Sequence, residues 1–179
     1  MTNQISNVSI NISLLIFILI VFELYYSSIL NNIGDLMDLT NFLRTGMYLK
    51  LKVGLAEEEI YSCFKKKDLG KKHYFDKLNK NRGFSYFLDA LQIKIINSKI
   101  YSLGFDLTCY PVSLLNNIII YPETSFECIL NYLDIANIEW SVNQQYCCDR
   151  VAAIQTEGNV LISCIYEKGN YCLSKFQTL

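Results

Sequence analysis

The sequence has one histidine, two prolines and seven cysteines that never stand at C-x-x-C spacing. Structural zinc sites use closely spaced Cys and His ligands, so no zinc signature is present. The chain also lacks a glycine-rich phosphate loop, the G-x-S-x-G turn of hydrolases and the H-E-x-x-H helix of metalloproteases. A nucleophile–histidine pair would have to use His73, which lies in a basic loop. These absences predict a protein that is not an enzyme, with no catalytic residues, no metal and no cofactor.

The seven cysteines lie at positions 63, 109, 128, 147, 148, 164 and 172. An odd number without paired spacing is typical of a reducing compartment, where a free thiol packs as a small hydrophobe. We therefore expect reduced, structural cysteines and a cytoplasmic protein. The densest group of reactive side chains, Cys147-Cys148-Asp149-Arg150, would need a neighbouring base or a lowered thiol pKa for catalysis. A hydrolase or redox enzyme that uses Cys147 or Cys148 is kept as a third hypothesis.

Apolar residues make up 51% of the 179 positions, which is enough for a packed core. The net charge of −1 conceals an uneven distribution. Lys65–Arg82 carries eight basic residues against two acids, whereas Glu123–Glu157 carries six acids against Arg150. Such asymmetry concerns partners rather than fold. Tyr74 and Phe75 interrupt the basic stretch, but no nucleic-acid-binding motif surrounds them, so nucleic acid is not the expected partner.

A hydrophobic run follows an uncharged, polar N-terminal stretch. Leu14–Phe22 is nine consecutive apolar residues, and Leu14–Leu30 extends the run around Glu23. A membrane helix needs ~20 residues of this kind. No basic residue precedes the run and the first cysteine is Cys63, which argues against a secretory or lipoprotein signal. Two interpretations stay open, a single membrane anchor and a helix that packs on the protein.

The charges after this run orient it if it spans a membrane. Arg44, Lys50 and Lys52 all follow the run, and basic residues stay on the cytoplasmic side, so the C-terminal domain would face the cytoplasm. Met37 offers another interpretation, in which translation starts there and residues 1–36 are a dispensable extension.

Residues 37–121 are predicted to form a first unit of helix and β-meander, after a short helix within Asp38–Tyr48. Its helix, Leu55–Phe64, has carboxylates in the first turn, where the helix dipole favours them. Ala56 stands where a capping Ser or Thr would accept a hydrogen bond. Alternating apolar residues then predict antiparallel strands, and Tyr101 is expected to share a face with the apolar residues that follow it. The strands are Gly83–Leu88, Leu91–Ile96, Ile100–Leu107 and, beyond the meander, Asn117–Tyr121.

Residues 122–179 repeat this order as a second unit. Thr124–Glu127 matches a capping box, and apolar residues at i, i+3, i+4 and i+7 predict an amphipathic helix from Phe126. Ile138, Trp140 and Val142 alternate in a strand of their own. The second meander has turns with Gly-Asn pairs, which are hairpin signals. Its strands are Val151–Thr156, Val160–Tyr166 and Tyr171–Phe176.

The pattern therefore predicts an α+β fold of antiparallel sheet or sheets, built from two helix-plus-β-meander units and preceded by an N-terminal hydrophobic helix. The domain boundaries are 1–36, 37–121 and 122–179. Because the two units share element order with low identity, an internal duplication is a hypothesis that rests on order alone.

The stretch Gly54-Leu55-Ala56-Glu57-Glu58-Glu59-Ile60, followed by an aromatic strand and Ile100–Leu107, resembles a set of small bacterial proteins. They share a Gly-hydrophobic-Ser/Thr-Glu-Glu-Val helix and a β-meander, and many resemble immunity proteins of toxin systems. The resemblance covers roughly Leu49–Phe176. Ala56 and Lys65–Lys67 depart from the pattern. It implies a toxin-neutralising role with no catalytic residues.

The leading hypothesis is thus a binding module for a toxin-like protein partner. Immunity proteins act through charge and shape complementarity, so the acidic second half is the candidate surface. Trp140 could anchor a partner, although its alternation with apolar neighbours favours a core position. The candidate residues are Glu123, Glu127, Asp134, Glu139, Asp149 and Trp140. The alternative is a membrane-tethered structural or envelope-associated protein anchored by Leu14–Leu30; the oligomeric state stays open.

Overall fold

The computed structural model describes residues 37–108 and 110–179. Residues 37–179 cluster as one compact unit. The predicted N-terminal hydrophobic helix and the Leu14–Leu30 segment lie outside the described residues. Within the described ranges, no helix is long and apolar enough to cross a membrane.

The predicted α+β architecture with antiparallel strands is confirmed. The ten strands of the described ranges are β1 His73–Tyr74, β2 Phe84–Leu88, β3 Leu91–Ile96, β4 Lys99–Asp106, β5 Val112–Leu114, β6 Ile118–Ile120, β7 Trp140–Val142, β8 Val151–Thr156, β9 Val160–Glu167 and β10 Asn170–Thr178. Eight of them form one sheet in the order β1-β2-β3-β4-β10-β9-β8-β7, and β5 and β6 form a separate hairpin. All the pairs between these strands are antiparallel.

The strand order reads the same from both edges of the sheet. Each three-stranded meander, β2–β4 and β8–β10, is flanked on its outer side by one short strand, β1 or β7. The last strands of the two meanders, β4 and β10, pair with each other and place Phe105 opposite Phe176. The two meanders therefore belong to a single continuous sheet.

The described part of the chain also contains two α-helices, α1 Thr40–Thr45 and α2 Phe126–Ile135, and three 3₁₀-helices, Glu57–Ser62, Lys80–Arg82 and Gln144–Tyr146. The predicted helix at Leu55–Phe64 is thus shorter and of 3₁₀ type. Its N-terminus is drawn into a bridge between Ala56 and Lys99, which leaves Ala56 extended and exposed.

Helix α2 has the amphipathic character predicted for it, but its cap differs by one residue. Ser125 Oγ accepts from the backbone N–H of Cys128 at 3.3 Å. Thr124 Oγ1 instead accepts from the N–H of Tyr121 at 3.0 Å. The cap therefore belongs to Ser125, because Thr124 closes the turn that precedes the helix.

The core lies on one face of the eight-stranded sheet. Phe105 is near its centre, with ring centroids 5.0 Å from both Phe42 of α1 and Tyr48. The buried apolar side chains that β3, β9 and β10 contribute include Leu91, Ile93, Ile95, Val160, Ile162, Cys164, Leu173 and Phe176.

The expectation for Tyr101 is wrong. A register shift between Lys94 and Ile95 in the β3–β4 pair moves Ile100 into the core, where it is 1% exposed, and leaves Tyr101 59% exposed. A β-bulge reverses which side chains face inward, and alternation within one strand does not reveal it.

Candidate functional site

Three of the six predicted partner-binding residues meet where α2 turns into β7. Asp134 lies in the last turn of α2, and Glu139 and Trp140 lead into β7. The indole Nε1 of Trp140 donates to Asp134 Oδ1 at 3.0 Å, which fixes the ring beside the carboxylate. Asp134 and Glu139 are exposed and Trp140 is partly buried.

A third carboxylate joins them from the turn between β8 and β9. The backbone N–H of Glu157 donates to the carbonyl of Glu139 at 2.9 Å. We call Asp134, Glu139, Trp140 and Glu157 the acidic corner. Glu157 was not among the predicted site residues, because only the β7–β8 pairing brings its turn next to Glu139.

Arg44 of α1 lies next to the acidic corner and makes two contacts there. Its guanidinium donates to the carbonyl of Ala136 at 2.6 Å, and its Nε lies 3.9 Å from Glu157 Oε1. Both side chains are substantially exposed, so this contact is weak and screened by salt. The corner therefore keeps a net negative charge.

Trp140 stands between two shallow clefts of about 480 and 370 Å³. Ile138 is buried at 2% exposure, whereas Val142 is 57% exposed. The prediction that Val142 alternates on a buried face with Ile138 is therefore not met, because β7 is the edge of the sheet and no element in the described ranges covers its end. Trp140 and Val142 form an apolar patch beside the carboxylates.

The other three predicted residues lie elsewhere. Glu127 is in the first turn of α2, seven residues and thus roughly 10 Å from Asp134. Glu123 lines a different cleft together with Glu167 and Lys168. Asp149 lies in the turn before β8, where its carbonyl accepts from the Tyr171 hydroxyl at 3.5 Å. The structure thus gathers half of the predicted surface.

A second cluster of polar side chains surrounds Glu57 at the opposite end of the sheet. Glu57 Oε1 accepts from Lys72 Nζ at 2.8 Å, from the Tyr86 hydroxyl at 3.1 Å and from the Tyr61 hydroxyl at 3.3 Å. Lys72 Nζ also lies 4.1 Å from the centroid of the Phe84 ring. These bonds hold the basic loop against the first meander.

The electrostatics of this cluster follow from burial and hydrogen bonding. Burial raises the pKa of Tyr86, and the hydrogen bonds with Tyr61 and Glu57 raise it further. Burial opposes the charge of Lys72, but the contact with Glu57 raises the pKa of Lys72 overall. At neutral pH Tyr86 therefore stays protonated and Lys72 stays charged, which suits a structural role for this cluster.

The adjacent thiols of Cys147 and Cys148 have different surroundings. Cys147 Sγ accepts from the N–H of Ala153 at 3.4 Å and lies 3.4 Å from the carbonyl of Asn143. The thiol therefore serves as the hydrogen-bond acceptor for the β8 backbone beyond the end of β7. His73 lies on β1, at the far end of the sheet from this turn. The structure does not bring these two groups together.

Two further results bear on function. Among residues 37–108 and 110–179, no three His, Cys, Asp or Glu side chains are grouped so that they could hold a metal ion. Comparisons with protein-family models, with curated proteins and with solved structures gave no match.

Proposed function

We propose that the described domain is a non-enzymatic protein-binding module that neutralises or binds a toxin-like protein partner, as the immunity proteins that its sequence resembles do. The observation that carries the proposal is the acidic corner. Three exposed carboxylates and a tryptophan from three separate chain segments converge there, beside two open clefts. Surface side chains gathered in this way suit recognition of a cationic partner surface.

The acidic corner would act by electrostatic and shape complementarity. Its negative charge accelerates encounter with a basic surface, as complementary charge does at other interfaces. Trp140 supplies the large, rigid ring that is typical of binding hot spots, and its bond to Asp134 holds that ring in place before binding. Pre-organisation of this kind lowers the entropic cost of association.

The remaining reactive side chains support binding rather than catalysis. Cys147 satisfies the backbone of Ala153, and the Glu57 carboxylate is occupied by Lys72 and two tyrosines. Reduced thiols suit a module that works in the cytoplasm.

The test is co-expression of the full chain with the product of the adjacent gene. We expect protection of the host cells and a complex that survives purification. Charge reversal at the corner by Glu139→Lys with Glu157→Lys should weaken that complex by at least about tenfold, ~1.4 kcal/mol.

The matched control reverses two carboxylates away from the corner, by Glu58→Lys with Glu59→Lys. Both side chains are exposed on the 3₁₀-helix at the other end of the sheet. If both double variants weaken the complex equally, the effect comes from the net charge of the protein and not from the acidic corner. An absence of both rescue and complex would reject the proposed function.

A further inference from the structure

Strand β7 ends the sheet with one edge unpaired by any strand in the described ranges. The N–H of Glu157 donates to the carbonyl of Glu139, and the N–H of Asn143 donates to the carbonyl of Ala153. In an antiparallel ladder, residues that bond to the neighbouring strand alternate with residues whose polar groups point away from it. The backbone N–H and C=O groups of Trp140 and Val142 therefore point away from β8.

Free edges invite another strand, and proteins normally blunt them with lysine, proline, bulges or short length. The opposite edge strand, β1, has two residues and lies within the lysine-rich loop. Strand β7, Trp140-Ser141-Val142, is also short, at three residues, but it has neither charge nor proline, and its pairing with β8 runs without a register shift. Val142 is 57% exposed on this edge.

The charges beside β7 indicate what kind of strand would pair with its outer edge. Asp134 lies on the face of β7 that carries the Trp140 ring, since the two side chains are hydrogen-bonded. Glu139 alternates with Trp140 and so belongs to the opposite face. An added strand therefore meets carboxylates on both of its faces, together with the apolar surface of Trp140 and Val142.

We propose that the β7 edge captures an extended, basic segment of the protein partner by strand addition. The segment lies 4.7–4.9 Å from β7, as neighbouring strands do. It bonds to the backbone groups of Trp140 and Val142 that point away from β8, and its Lys or Arg side chains reach Asp134 and Glu139. Main-chain bonds then supply affinity and the carboxylates supply specificity. The inference rests on the proposed function for the identity of the partner, but the edge can be probed without that partner.

The probe is an acetylated, amidated octapeptide of two Lys-Lys-Val-Val repeats, which places lysine and valine on both faces of an extended strand. Because Trp140 is the single tryptophan of the chain, its fluorescence reports binding at this edge. We expect saturable binding of this peptide. A copy that carries N-methyl groups on every backbone nitrogen keeps the charge but loses its donors, and a copy with glutamate for lysine reverses the charge. Both copies should bind at least about tenfold more weakly.

The protein variant that isolates the backbone bond is Val142→Pro. Proline is tolerated on an edge strand where its nitrogen faces solvent, and the ladder bonds to β8 use the neighbouring residues. Val142→Pro should therefore weaken peptide binding by about tenfold, whereas Val142→Thr, which retains the N–H, should stay within about threefold. If Val142→Pro does not fold, the N-methylated peptide on the unaltered protein decides the same point.

Equal binding of the lysine–valine peptide and its N-methylated copy, or no binding of either, overturns the proposal. So does a concentration-dependent dimer in sedimentation that Val142→Pro abolishes, because the edge would then belong to a second copy of the chain. A partner complex that is sensitive to Glu139→Lys with Glu157→Lys but not to Val142→Pro keeps the proposed function and rejects strand addition. Peptide binding without protection in cells rejects the proposed function alone.

Discussion

Gly46 and Gly158 meet backbone to backbone where the end of α1 crosses the β8–β9 turn. A Cβ on Gly46 would stand 2.5 Å from the carbonyl oxygen of Gly158, and a Cβ on Gly158 would stand 2.6 Å from the nitrogen of Gly46. Thr156 Oγ1 donates to the carbonyl of Leu43 at 2.5 Å in the same joint. This contact holds Arg44 beneath the acidic corner and positions the turn that bears Glu157.

Gly158→Ala should therefore destabilise the domain. The added Cβ would also meet the Leu43 carbonyl oxygen and the Thr45 nitrogen at 2.7 Å each, and none of these backbone atoms can move without shifting α1. Overpacking of this kind costs about 1–3 kcal/mol. Urea denaturation measures the free energy of unfolding. Gly169→Ala is the control, since no atom lies within 4 Å there and only its φ of 94° is strained. A larger loss of unfolding free energy for Gly169→Ala than for Gly158→Ala would contradict the close backbone contact between Gly46 and Gly158.

Glu57→Gln should cost about 2 kcal/mol of unfolding free energy. The Glu57 side chain is 14% exposed, and one oxygen accepts three hydrogen bonds, including that of the Lys72 ammonium. Hydrogen bonds to a charged group contribute about 1.5–3 kcal/mol, and the amide loses the charge. Glu58→Gln, an exposed neighbour on the same 3₁₀-helix, should stay within about 0.5 kcal/mol. Thermal or urea unfolding separates the two, and equal effects would argue against a joint at Glu57.

Cys147→Ala should destabilise the domain by about 1 kcal/mol more than Cys148→Ala. Only the Cys147 thiol accepts the Ala153 N–H at the end of the β7–β8 ladder, and a lost hydrogen bond has about this magnitude. Cys147→Ser keeps an acceptor and should recover part of the loss. Equal stability of the two alanine variants would show that this thiol does not support the ladder.

Stability should fall between pH 9 and pH 12 through Cys164. Burial, and then its neighbour Cys172, raise the pKa of the Cys164 thiol from 9.0 to about 12. In this range the unfolded chain releases a proton that the folded chain retains, so the contribution of Cys164 is complete below pH 9 and is lost as pH rises. A proton that the folded chain fully retains and the unfolded chain fully releases lowers the free energy of unfolding by about 1.4 kcal/mol per pH unit.

The check on this prediction is a series of urea denaturations from pH 8 to pH 12. Cys164→Ala should show a shallower fall than the unaltered protein by up to one proton. Parallel curves for the two proteins would mean that the thiol ionises as readily in the folded state as in the unfolded state.

Local patterns predicted much of the secondary structure. Leu91–Ile96 and Val151–Thr156 were predicted with the bounds they have, because alternation of apolar residues between turn residues is a property of the strand itself. The helix predicted at Leu55–Phe64 is a shorter 3₁₀-helix, Glu57–Ser62, since pairing of Ala56 with Lys99 competes with helical bonds there. Tyr101 was assigned to the wrong face of β4, because a β-bulge depends on the pairing of two strands and the pattern of one strand does not reveal it.

For the candidate surface too, some residues were placed by local sequence and others only by the tertiary structure. Asp134, Glu139 and Trp140 are close in sequence, so the prediction that they lie together needed only one helix end and one strand. Glu157 was missed because it reaches Glu139 through the β7–β8 register, and Glu127 separates from Asp134 because the length of α2 lies between them.

The sequence by itself determined most of the alternating strands, the amphipathic helix α2 and the acidic second half, because these depend on residue type and near neighbours. Only the tertiary structure decided that β4 and β10 join the two meanders into one sheet, that no strand of the described ranges pairs with the outer edge of β7, and that Glu157 completes the acidic corner. Pairing of distant strands is set by packing of the whole core, in which Phe105 and Phe176 meet, and short-range patterns do not encode it.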